Sequence, residues 1–222
     1  MEVDELTAWL RLSLSNGVGN SSARKLLAAF GLPQAIFEQS ALALEQTVSS
    51  AQVQALRSVP EGLAALLDTT LAWLQQDEPD GIRRQLTTLG DPGYPQALLN
   101  LDDPPLMLYL LGAAHFKQNS PPALAQQAQA ATDVIANSSV IEAARSLAVV
   151  GSRNPTPQGV VNAQRFAQSL VEAGVTVVSG LALGIDGAAH EGALKATGST
   201  QVGATLAVVG TGLDRVYPKA HR

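Results

Sequence analysis

The pentapeptide LAVVG occurs twice in this chain, at Leu147–Gly151 and at Leu206–Gly210, with VTVVSG at Val175–Gly180 between them. Each run is short, apolar and closed by glycine, the pattern of a buried strand that meets a tight turn. The stretches between the runs read as helices. The first begins near Pro157, a good first-turn residue, has Thr156 as its cap and stops at Gly174. The second has Asp186 as its expected N-cap and Gly198 as its stop. Strands alternating with helices form parallel βαβ units with right-handed crossovers. The expected fold class is therefore α/β: a Rossmann-like parallel sheet of buried strands with flanking helices. Only about half of such a sheet is spelled out before Arg222, which leaves the third strand expected at an edge.

The rest of the chain has a different grammar. Residues 1–80 carry leucine and alanine at three-to-four spacing without strand-like alternation, so a small all-helical domain is expected. Within it, NGVGNSSARKLL offers Gly17-Val18-Gly19 as a turn, Asn20 to Ser22 as helix caps and Phe30-Gly31 as the close of that helix. Residues 81–112 read as a connector dense in Pro, Gly and Asp, followed by an apolar strand at Leu106–Leu111. Residues 113–146, rich in Ala, Gln and Ser, read as an insertion or flexible linker. Residues 147–222 make the Rossmann-like part.

The three strands finish in GSRNPTPQG, SGLALGIDGAAH and VGTGLDRVYP. In an open parallel sheet the carboxyl ends of the strands line the crevice where ligands bind, and glycines with helix N-termini there favour anions. Charge agrees in sign. From Leu147 onward six basic residues oppose four acidic ones, a net of +2, whereas the preceding part has eight against fifteen, a net of −7. A phosphate-bearing partner therefore suits the carboxyl-terminal part. A P-loop ATPase is excluded within these residues because no G-x-x-x-x-G-K-[ST] is present, and the first loop lacks G-x-G-x-x-G. With no cysteine in the chain, thiolate chemistry and disulfides are excluded too. The start, MEVDELTAWL, is acidic where a secretory signal is basic, and the most apolar run is too short to span a bilayer, so a cytoplasmic location without membrane is expected.

Taken in order, VVGSR-N-P-T, VVSGLALGIDGAAHEGAL and AVVGTGLDRVYP resemble the blocks of the bacterial DNA-processing protein A family, DprA, also called Smf. LGDPGYPQALLNLDDPPLMLYLLG resembles the segment leading into that family's Rossmann domain, and NGVGNSSARKLLAAFG its amino-terminal SAM-like or helix-hairpin-helix region. The resemblance implies a non-enzymatic mediator that binds single-stranded DNA, protects it and loads the recombinase RecA during natural transformation and competence. It implies a homodimer at full length and no cofactor. The DNA-binding residues it implies are Gly151, Ser152 and Arg153 in the first turn, with Arg153 gripping phosphate, and Ser179, Gly180, Leu181 and Gly184 in the second, through backbone amides. His190 and Lys195 follow on the next helix, each with a structural alternative: a hydrogen-bonded pocket histidine and a solvated lysine. The amino-terminal Gly17-Val18-Gly19 turn, with Arg24 and Lys25 nearby, is expected to serve interaction or scaffolding rather than to bind DNA. Family members continue well past Tyr217-Pro218, so the chain reads as truncated within the Rossmann-like domain.

Two other readings stay open. A phosphoribohydrolase-like nucleotide-cleaving enzyme shares a similar sheet, but its P-G-G-x-G-T and following glutamate are not found here. An inactive remnant is the other. His115, His190 and His221 are too scattered to suggest a metal site.

Overall fold

The computed structural model describes residues 1–76, 82–112, 114–116, 139–141, 145–196, 204–215 and 217–218. The chain forms two compact units, one drawn from residues 1–77, 84–91 and 96–109 and the other mainly from residue 110 onward.

The first unit is built on six helices: α1 (Val3–Leu14), α2 (Asn20–Phe30), α3 (Pro33–Phe37), α4 (Ala41–Glu45), α5 (Ser50–Arg57) and α6 (Leu63–Leu74). Their apolar stripes meet in a core containing Trp9, Leu12, Leu26, Ile36, Leu44 and Leu56, beside a second cluster of Leu6, Leu10 and Leu63. Serine caps start the later helices. Ser40 accepts from Ala43 N–H, and Ser49 forms a reciprocal capping box with Gln52. Arg11 is threaded into this unit, donating to the Leu56 carbonyl at 2.8 Å with its guanidinium 4.0 Å from the Phe37 ring centre. Burial lowers its pKa. The connector holds a strand that its sequence does not advertise. RRQLTT forms β1 (Arg83–Thr88), which pairs with β2 (Met107–Gly112), the apolar strand expected at Leu106–Leu111. A short 3₁₀ helix, Gln96–Asn100, lies between them.

In the second unit, β3 (Ala114–Phe116) and β4 (Ser139–Ile141) pair in parallel, Ala114 opposite Ser139. The ends of the segment expected as insertion or linker are thus strand, and residues 117–138 lie outside the described part. Next come β5 (Ser146–Ala148), α7 (Pro157–Glu172), β6 (Thr176–Ser179), α8 (Ile185–Leu194) and β7 (Thr205–Ala207). The strands form a parallel sheet in the order β5-β6-β7, with Ala148 opposite Val178 and Ser179 opposite Ala207. This is the α/β class expected, with β7 at an edge among the described residues. Strands added in one direction with right-handed crossovers put both helices on the same face. There Ala167, Val171, Val177, Ala189 and Ala193 make the core. Among the described residues the sheet is therefore not buried on both faces, and Leu147 remains 48% exposed.

Helix α7 follows its sequence signals: Thr156 accepts from Gly159 N–H at 3.1 Å, Pro157 is the first helical residue, and Gly174 ends the turn at φ 82°. Helix α8 stops at Leu194, before Gly198, which lies outside the described residues. Among the described residues no helix is long and apolar enough to cross a membrane.

Candidate nucleic-acid interface

At the end of β5 the Val149 N–H still bonds to the Val178 carbonyl at 2.9 Å, and Ser179 Oγ donates to the Val149 carbonyl at 2.7 Å. Ser179 is buried, so its hydroxyl joins two strand ends. Beyond Val149 the chain leaves the sheet. Gly151, Ser152 and Arg153 form an exposed turn in which Ser152 Oγ accepts from Asn154 N–H at 3.1 Å. Among the described residues no hydrogen bond or ion pair holds the Arg153 guanidinium. A fork-shaped cation without a protein partner at a strand end is suited to phosphate oxygens.

The loop after β6 is organised by Asp186. Its Oδ2 accepts from Gly180 N–H at 3.2 Å, and a Cβ placed on Gly180 would lie 3.0 Å from that oxygen. Asp186 was expected to be the N-cap of α8. The N-cap is instead Gly184, and Asp186 is the second helical residue, reaching back to close the loop. The Gly180 amide is consequently spent inside the protein. Leu181 sits in the left-handed region at φ 58°, uncommon for a residue with a Cβ, and Gly184 lies at φ 88°. The two loops also touch, because Ile185 N–H donates to the Ser152 carbonyl at 3.1 Å.

His190 and Lys195 fall elsewhere. His190 is mid-helix and buried, with Nδ1 2.7 Å from Thr205 Oγ1, while that hydroxyl donates to the Val177 carbonyl at 2.9 Å. The threonine proton is committed to Val177, so Nδ1 carries the hydrogen and donates to Thr205. His190 is thus the hydrogen-bonded pocket histidine, tying α8 to β6 and β7. Lys195 is the exposed C-cap of α8, about 15 Å along the helix from the loop at the usual rise per residue. The structure gathers Gly151, Ser152, Arg153, Ser179, Gly180, Leu181 and Gly184 and leaves Lys195 apart from them. The sequence reading passed over Arg215, in the third loop, whose side chain is 80% exposed and only 4.0 Å from Asp214. Its signal was its place after the third strand. Among the described residues no cluster of His, Cys, Asp or Glu is arranged to hold a metal ion.

The amino-terminal hairpin is occupied with its own packing. Arg24 pairs with Asp103 and donates to the Asp102 and Pro104 carbonyls. Gln52 donates to the Gly17 carbonyl at 2.7 Å and to Ser22 Oγ at 3.0 Å, and Val18 is buried. The side chains of Asn20 to Ser22 do not cap α2, whose N-cap is Gly19.

Residues 121–222 match the family model for DNA recombination-mediator protein A. Protein Smf of Synechocystis sp. is 30% identical over 222 residues, all of this chain and 48% of that protein. The DNA processing protein DprA of Streptococcus pneumoniae is 49% identical over 76 residues, 34% of this chain and 25% of that protein. The X-ray structure of the Streptococcus pneumoniae protein superposes with a TM-score of 0.56 at 23% identity, over 96% of this chain and 60% of that one, a likeness of fold. The chain spans about half the length of the Smf proteins it matches.

Proposed function

The chain belongs to the DprA/Smf family of DNA-processing recombination mediators, and from that premise we propose that its Rossmann-like part binds single-stranded DNA along the carboxyl ends of β5, β6 and β7. The observation that carries this reading is Arg153, an exposed guanidinium with no protein partner among the described residues, on a turn held by main-chain contacts. In this reading Gly151, Ser152 and Leu181 bring backbone close to the strand, and Gly184 supports the turn beneath them. Ser179, Gly180 and His190 hold the loops in shape, and Lys195 adds positive charge at a distance. The role is binding rather than catalysis, in the cytoplasm, without a cofactor. RecA and a second copy of the full-length protein are the further partners in this reading; a recombinase partner accords with the family's description as a recombination mediator.

Fluorescence anisotropy with a labelled oligothymidylate tests this. Affinity falls steeply as salt rises and changes little when the oligonucleotide sequence is varied. Arg153→Ala loses one charge-assisted contact, about 1.5–3 kcal/mol or roughly ten-fold or more in affinity, with folding intact. Arg153→Lys recovers part of the loss, since a point charge cannot reproduce the fork. Salt-insensitive binding, or an alanine variant that binds like the parent, rules the crevice out.

A further inference from the structure

The first loop does not set its own shape. Glycine at 184 leaves a gap into which the first turn fits: a Cβ there would overlap the Ser152 carbonyl oxygen and lie 2.9 Å from both Cα and carbonyl carbon of Arg153. The contact is reciprocal. A Cβ on Gly151 would come within 2.8–3.0 Å of three carbons of the Ile185 side chain. Between these two close approaches, Ile185 N–H holds the Ser152 carbonyl at 3.1 Å. Ser152 and Arg153 are thus gripped by main chain more than 30 residues away, at the point where Gly184 turns into α8.

We propose that Gly184 and Ile185 are positioning residues for Arg153: they seat its main chain so that the guanidinium is presented to the DNA phosphate, while they themselves need make no base or phosphate contact. The proposal rests on the reading of Arg153 as a DNA contact and adds what holds it there. Arginine has a flexible stem, so the fixed backbone supplies the preorganisation that its side chain lacks.

A double-mutant cycle tests it on the whole chain, with a fluorescein-labelled oligothymidylate as probe and thermal melting beside it. Gly184→Ala must push Ser152 and Arg153 aside, and it weakens binding about five-fold or more. In an Arg153→Ala background the same change costs about two-fold or less, because the group it misplaces is already gone. Independently of DNA, the Ser152 and Arg153 amide resonances move in Gly184→Ala. Where alanine at φ 88° prevents folding, Ile185→Ala serves in the same cycle. It keeps the N–H and releases only the side chain packed on Gly151, and the same non-additivity is expected. A Gly184 or Ile185 variant that binds like the parent, or whose loss repeats in full on Arg153→Ala, overturns the positioning role alone. Arg153→Ala binding like the parent overturns both this and the functional reading.

Discussion

The helical unit and the strand–loop unit bury different kinds of side chain. In the first, Trp9, Leu10, Leu12, Leu26, Ile36, Leu44 and Leu56 are all almost fully removed from water. In the second, the buried apolar side chains among the described residues from 145 onward are Ala163, Ala167, Ala188, Ala189 and Ala193 with Val171 and Val177, while Val150, Phe166, Leu194 and Val208 stay more than half exposed. A buried leucine or tryptophan contributes far more apolar area than an alanine, so the first unit draws its stability from side-chain volume. Small residues do something else. They let main chain approach main chain, as Gly192 does against Gln164, where a Cβ would overlap the Gln164 carbonyl oxygen. The strand–loop unit exchanges area for close backbone contact, and close contact is what fixes the loops around Arg153.

The largest expected effect lies in the helical unit. Leu26→Ala removes a fully buried side chain and destabilises by about 2–5 kcal/mol. Both tryptophans, Trp9 and Trp73, belong to that unit, so tryptophan fluorescence during urea unfolding reports on it directly. The transition moves to lower urea, whereas amide exchange in α7 and α8 changes little. Equal loss of protection in α8 would break the comparison, because the units would then share one cooperative core.

Gly192→Ala is the mirror experiment. One methyl group wedged between α7 and α8 costs about 1–3 kcal/mol. It is read as faster amide exchange in those two helices, with the tryptophan transition in place. An unchanged exchange pattern would mean that the helices part without penalty and that close backbone contact is not what holds this unit.

Sequence made the repeating parts legible and hid the reciprocal ones. The boundaries of α7 could be read because Thr156, Pro157 and Gly174 act within one turn of where they stand. Asp186 was misread for a local reason: aspartate at the first or second helical position has the same composition signal as an N-cap, and only the loop geometry shows it bonding back to Gly180. Strand β1 was hidden because RRQLTT is polar and gains its place by pairing with β2. The seating of Arg153 by Gly184 was out of reach altogether. The sequence shows a glycine after a strand, and nothing in it says that the missing side chain makes room for residues 152 and 153.

The smallest expected effect asks whether the start of α7 shares in that seating. Thr156 is exposed and its hydroxyl accepts from Gly159 N–H, so Thr156→Ala leaves one helix-end donor to water and costs about 1 kcal/mol. Thr156→Asp restores the cap and adds a favourable charge at the helix N-terminus, recovering the loss. Both changes are read as amide exchange in the first turn of α7. The oligothymidylate affinity separates two ways of building the site. Arg153 is gripped from the Gly184 side, so a frayed α7 start leaves affinity within about two-fold of the parent. If Thr156→Ala instead weakens binding as much as Arg153→Ala, the turn is shaped by the helix that follows it. The contrast between the units would then have to be redrawn around capping, not around close backbone contact.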